Sequence, residues 1–132
     1  MSDPYAFHIA VHRVHKQDER YALNAYAFLC EALEFTTKDL GRSGEDSRHV
    51  TGQELMVGFR KFALQEFGPL AWLVMKEWGI TASEDVGNMV YNLINVRYFG
   101  RNDTDRIEDF SDGVSLEQEL TKPYAPYRRS RK

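Results

Sequence analysis

A chain of 132 residues, 42% apolar and 13% aromatic, can bury a core as one domain and is too apolar for a disordered polymer, while no apolar run approaches the ~20 residues that a membrane span needs. The net charge of -3 is unevenly spread, because Lys122 to Lys132 holds five basic residues and no acid, leaving 12 basic against 20 acidic residues in 1–121. An acidic body repels a phosphate backbone, so nucleic-acid binding is disfavoured for everything but the tail.

The elements read in chain order as follows. Asp3 caps and Pro4 opens a first helix, along which Phe7, Ala10, Val11 and Val14 form one apolar stripe. Its start, with an acid and a proline where an export signal wants positive charge, is not a signal peptide, and cytoplasmic residence is expected. The one cysteine, Cys30, rules out an intrachain disulfide and suits a reducing compartment. Asp18 is the expected cap of a second helix running to about Leu40, with apolar positions from Tyr21 to Phe35 on more than one face, as a central helix requires. Gly41 stops it, and 41–49 reads as a polar loop.

Thr51-Gly52-Gln53-Glu54 is a capping box, opening a third helix with Leu55, Met56, Phe59, Phe62, Ala63 and Phe67 on its buried face. Gly68 ends it and Pro69 opens a fourth, whose stripe is Leu70, Leu73, Val74 and Trp78 before the stop at Gly79. Thr81 or Ser83 starts a fifth helix carrying Val86, Met89, Val90, Leu93 and Ile94, then Val96 and Phe99, with Gly100 as its stop. Beyond Gly100 lie a polar turn, scattered apolar residues suited to an irregular stretch or a short β-hairpin around Ser111-Asp112-Gly113, and a helical turn at Leu116–Leu120. The fold class expected is therefore mainly α: about five helices in a single helical domain over 1–121, a winged-helix-like helix-turn-helix arrangement in the second half, a short β-hairpin or irregular C-terminal appendage, and a basic flexible tail over 122–132.

Five stretches carry a resemblance. ALNAYAFLCEALEFT (22–36), HVTGQEL (49–55), FGPLAWLVMKEWGI (67–80), EDVGNMVYNLI (84–94) and DTDRIEDFSDG (103–113) resemble a family of hypothetical bacterial proteins restricted to planctomycete and verrucomicrobial lineages. The likeness covers roughly 20–113 and leaves out the first helix and the basic tail. It implies a free-standing cytoplasmic domain and brings no activity, cofactor or catalytic residue with it.

Four constellations bear on function. The stretch from Trp78 to Arg106 has the outline of a helix-turn-helix with a wing, but the side expected to face out, Glu84, Asp85, Asn88, Asn92 and Asn95, is acidic and amide-rich, and the wing is acidic too. A core helix sharing that outline is the better reading. His8, His12 and His15 fall at i, i+4 and i+7, a spacing that can hold a divalent metal, yet neither a HExxH motif nor a cysteine pair accompanies them, so a solvent-edge stripe is favoured. Cys30 sits among apolar and acidic neighbours, which suits a buried filler rather than a nucleophile. Trp72 stands at the edge of the fourth helix, and the tail alternates Tyr124 and Tyr127 with Arg128, Arg129 and Arg131; these six are the candidate contacts for a partner protein or a nucleic acid.

The function expected is a non-enzymatic protein-interaction module with an unknown protein partner, a homodimer being one form of it. No catalytic residue and no cofactor are assigned. A winged-helix-type nucleic-acid binder drawing affinity from the tail is the alternative, and metal binding through the first-helix histidines is a weaker one.

Overall fold

A computed structural model describes residues 4–42, 50–100, 107–111 and 113–125. Six α-helices occur among them: α1 (Pro4–His15), α2 (Leu23–Asp39), α3 (Gly52–Phe67), α4 (Ala71–Glu77), α5 (Ser83–Asn95) and α6 (Leu116–Thr121). Short 3-10 turns sit at Gly68–Leu70, Ile107–Phe110 and Lys122–Tyr124. The mainly α class is therefore correct. No strand occurs among the described residues, so of the two alternatives expected after Gly100 these residues take the irregular one and not the β-hairpin. A 3-10 turn and the six-residue α6 stand in its place, because Phe110, Leu116 and Leu120 are buried and pin this segment onto the helices.

Helices α2 and α3 share the most extensive contact, and α3 also touches α4, α5, α6 and the 107–110 turn. The centre of α3 packs close to α2: a β-carbon at Gly58 would fall within van der Waals overlap of the Thr36 side chain, whose hydroxyl donates 2.7 Å to the Ala32 carbonyl. Phe28 gathers an aromatic cluster, with ring centroids of Phe62 at 5.0 Å, Phe59 at 5.3 Å, and Phe67 and Trp78 at 5.5 Å. These offset and edge-on pairs each add about 0.5–1.5 kcal/mol beyond area burial. Tyr91, Tyr98 and Phe99 lie half-buried against the same core.

The starts and stops follow local chemistry. At α3 the capping box forms as expected: Glu54 N–H donates to Thr51 Oγ1 at 3.0 Å and Thr51 N–H to Glu54 Oε1 at 3.0 Å. The same carboxylate takes both terminal nitrogens of Arg42 at 2.7 and 2.9 Å, which holds its pKa below the usual carboxylate range. At α2 the expected cap is wrong. The helix opens only at Leu23, from an extended Ala22, and Asp18 is used elsewhere. At α4 the stripe is displaced by one position: Ala71 and Met75 are buried, while Leu70 and Leu73 face solvent. The helix starts two residues later than Pro69 suggests, because 68–70 winds as a 3-10 turn with a different angular step. Gly79 does close this helix, at φ 92°, and a β-carbon there would lie 2.2 Å from the Arg20 carbonyl oxygen.

The end of α5 also differs from expectation. The helix stops at Asn95 rather than near Phe99, and the left-handed residue that ends it is Arg97, at φ 66°, not Gly100. Leu93 and Ile94 carbonyls accept from the Tyr98 and Arg97 N–H groups at 2.9 Å each, closing a Schellman motif.

Phe110 enters the core through two glycines. A β-carbon at Gly52 would approach the Phe110 ring at 3.1 Å, and one at Gly87 would meet Phe110 Cβ at 2.9 Å. Gly87→Ala should therefore destabilise by about 1–3 kcal/mol through overpacking, although alanine gains about 1 kcal/mol in helix propensity. In a Phe110→Gly background, which removes the β-carbon as well as the ring, the clash is gone and the same substitution should become neutral or stabilising. Urea titrations of the four-member cycle measure this sign change.

Candidate functional site

The densest polar constellation joins the α1–α2 connection to α5. Asp85, in the first turn of α5, sits beside the helix's unpaired amides. Its Oδ2 accepts from Thr81 N–H at 2.9 Å, Ala82 N–H at 3.0 Å and the Thr81 hydroxyl at 3.3 Å. An acid in the first turn also meets the positive end of the helix dipole. Ala82 has no side-chain oxygen, so the cap is made by Asp85 reaching back and not by the Thr81 or Ser83 hydroxyl expected. The other oxygen, Oδ1, accepts from the buried Tyr21 hydroxyl at 2.5 Å.

One and two turns further along, Asn88 donates to the Tyr21 oxygen at 3.1 Å, and Asn92 donates to Asp18 Oδ2 at 2.9 Å and the Tyr26 oxygen at 3.0 Å. Asp18 in turn accepts from Arg20, at 2.9 and 2.7 Å through its guanidinium and at 3.0 Å through its backbone N–H. His15 contributes a ring nitrogen, Nε2, to the Tyr21 carbonyl oxygen at 2.8 Å, and its ring meets Tyr26 edge-on at 6.1 Å.

This arrangement determines the chemistry. The Arg20 guanidinium, then Asn92, hold the Asp18 carboxyl well below the usual carboxylate range, against an opposing effect of burial. Burial, helped by the Asp85 carboxylate, pushes the Tyr21 phenol above its ordinary value. Burial does the same at Tyr26. Both phenols stay protonated at neutral pH and act as hydrogen-bonding posts, where a nucleophile or base would need the opposite shift. Burial, with Glu34 and Glu31 nearby, raises Cys30 to about 11, so its thiol is protonated as well, although the residue is half-buried rather than fully buried.

The face of α5 that a DNA-reading helix would present is thus already occupied. Of its five polar residues, Glu84 accepts from Ser111 at 2.8 Å, Asp85, Asn88 and Asn92 serve the network, and Asn95 alone is exposed without such a role in it. The segment expected as a wing is described only over 107–111 and 113, where it is a 3-10 turn and its sequel. Asn88 and Asn92 were legible as a shared helix face; the overlooked signal was their neutrality, since solvated faces favour Lys and Glu whereas paired amides suit a covered face.

The other candidate residues are dispersed. His8 and His12 are exposed on α1, while His15 is half-buried with Nε2 engaged at Tyr21, and no group of three or more His, Cys, Asp or Glu side chains among the described residues is placed to hold a metal. Trp72 is half-buried with the Lys76 ammonium 5.6 Å from its ring centre. Tyr124 is exposed and belongs to the 3-10 turn that continues α6. Tyr127, Arg128, Arg129 and Arg131 lie outside the described residues. No helix among the described residues is long and apolar enough to cross a membrane. No family model, curated protein or solved structure matches the chain.

Two measurements test the network. Asp85→Ala removes the α5 cap and the Tyr21 partner together and should cost about 2–4 kcal/mol in urea unfolding. Asp18 has a lowered folded pKa, so its contribution is complete above its unfolded value of about 3.9 and is lost as pH falls below that. Asp18→Asn should therefore be less stable than wild type at pH 7, and the gap should narrow between pH 4 and pH 2. Because Arg20 is largely exposed, added salt should narrow it too.

Proposed function

We propose that the chain is a non-enzymatic protein-interaction module whose contact surface is the outer side of α4. The observation that carries this reading is the exposure of Leu70 and Leu73, at 60% and 56%, one helical turn apart. Neighbouring exposed aliphatic side chains beside a large aromatic are the makings of an interaction patch. Trp72 lies between them in sequence as a large, half-buried anchor of the kind enriched in binding hot spots. The Tyr124 oxygen lies 3.8 Å from the position of a β-carbon on Gly68, which places Tyr124 beside the turn that carries Leu70.

Lys122, the first of five basic residues in 122–132, lies in the 3-10 turn beside this surface. A fitting partner therefore offers an apolar patch edged by carboxylates. A second copy of the chain meets the charge requirement, since residues 1–121 carry 12 basic against 20 acidic residues. The saturated Tyr21–Asp85–Asn88 and Asp18–Arg20–Asn92 groups support a structural rather than a catalytic role for the main polar cluster. We further propose membership of the planctomycete and verrucomicrobial family, as a cytoplasmic domain; the likeness supplies no activity that competes with this reading.

Sedimentation velocity on the full chain, paired with capture from a lysate of its own host, tests the proposal. Leu70→Asp combined with Leu73→Asp should leave the melting temperature unchanged and weaken self-association or capture by at least roughly 30-fold, the equivalent of one hot spot of about 2 kcal/mol. Association that survives the double substitution would move the surface elsewhere. A wild-type monomer that captures nothing would end the reading.

A further inference from the structure

A cleft separates the last turn of α1 from the end of α5. It encloses about 310 Å³ and is lined by Arg13, Lys16, Gln17, Asn95, Val96 and Arg97. It runs on into a hollow of about 260 Å³ that shares Arg13, Val96 and Arg97 and is walled by Ala6, Ile9, Ala10 and Tyr98. Three cations and no carboxylate line the first part, whereas the second is apolar with one aromatic side.

Two helix carboxyl ends face this region, and each amounts to about half a negative charge. Three full positive charges outweigh them. Complementing a helix end would explain any one of these residues but not their convergence. None of the ion pairs found among the described residues, Asp18–Arg20, Glu54–Arg42 and Asp39–Lys61, involves Arg13, Lys16 or Arg97.

Arg97 supplies an independent argument. It occupies the left-handed position of the Schellman motif, where glycine fits without strain and a β-carbon does not. Gly100 stands three residues on and is not used for the stop. An arginine is thus kept where glycine would be more stable, and it is one of the residues lining both hollows. Strained non-glycine residues of this kind concentrate at binding sites. Arginine's planar fork suits an oxyanion, which it can grip through two parallel hydrogen bonds.

We propose that this cleft binds a small ligand made of an oxyanion, phosphate or carboxylate, joined to an apolar or planar body. The oxyanion lies on Arg13, Lys16 and Arg97, and the body runs along Ile9, Val96 and Tyr98. The site is independent of the α4 surface and stands or falls separately from it.

Amide shifts of the full-length, nitrogen-labelled chain test the proposal with phenyl phosphate as the amphiphilic probe and with inorganic phosphate and phenol as its halves. Phenyl phosphate should saturably shift the amides of Arg13, Lys16, Val96, Arg97 and Tyr98 and bind at least 10-fold more tightly than either half. Adenosine monophosphate and octanoate are further arms: preference for the first supports a phosphate ester, and preference for the second an acyl carboxylate. Arg97→Gln should weaken phenyl phosphate at least 10-fold. Arg97→Gly relieves the backbone, so it should raise the melting temperature by about 4 °C while losing binding to the same extent. That combination separates a ligand role from a structural one, and it keeps the test open if the glutamine variant folds poorly. Shifts that centre elsewhere, affinity unchanged in both Arg97 variants, or no gain over inorganic phosphate would each overturn the site.

Discussion

The carboxylate of Asp85 is the point on which much of this domain's geometry turns. It holds the first turn of α5 through the amides of Thr81 and Ala82, and it holds the α1–α2 connection through the hydroxyl of Tyr21. One side chain thereby fixes both where α5 begins and which way it faces. The Asn88 and Asn92 bonds then follow from helical spacing, because residues 85, 88 and 92 lie on one side of a 3.6-residue turn. Tyr21 and Tyr26 can be buried only because their hydroxyls have these partners; an unpaired buried hydroxyl costs about 1–3 kcal/mol. The Ala22 N–H bond to the Trp78 carbonyl at 3.2 Å joins the same connection to the end of α4. Four elements are thus held in register around a polar seam.

That seam has a functional consequence. A helix-turn-helix protein keeps the outer face of its second helix free to enter a groove. Here the face is spent on internal hydrogen bonds, and the helix-turn-helix outline between Trp78 and Asn95 is a way of packing. Among the described residues, two surfaces of other kinds stay open: an aliphatic one on α4 and a cationic one at the joint end of α1 and α5. They differ in chemistry and share no lining residue, so one domain has room for both a protein contact and a small ligand.

Much of the fold was legible because short-range rules agreed with the tertiary structure. Thr51 and Glu54 formed the capping box that their spacing announces, and the buried faces of α1, α3 and α5 followed their apolar periodicity. The misreadings cluster where one position can serve two purposes. Asp18 looked like a helix cap because acids are good caps, but Arg20 and Asn92 compete for it and win with four hydrogen bonds. On α4, periodicity counted from Pro69 put Leu70 and Leu73 inside, since nothing in the pattern distinguishes a 3-10 turn from a helical one. The cleft was invisible for another reason: Arg13 and Lys16 are 81 or more positions from Arg97, and only the packing of α1 on α5 brings them together.

Sequences that fold well are consistent across levels, with local preference and global structure pointing the same way, and departures from that consistency concentrate where a protein does something besides fold. Two such departures bear on the proposals made above. Leu70 and Leu73 place aliphatic side chains in water, and Arg97 places a β-branchless but bulky residue in a conformation suited to glycine. Neither improves the stability of the isolated domain, and each has a simple replacement that would. A polar residue at 73 or glycine at 97 leaves the core untouched. On the two proposals made above, their costs are offset outside the isolated domain, by a partner on α4 in one case and by an oxyanion on the guanidinium in the other.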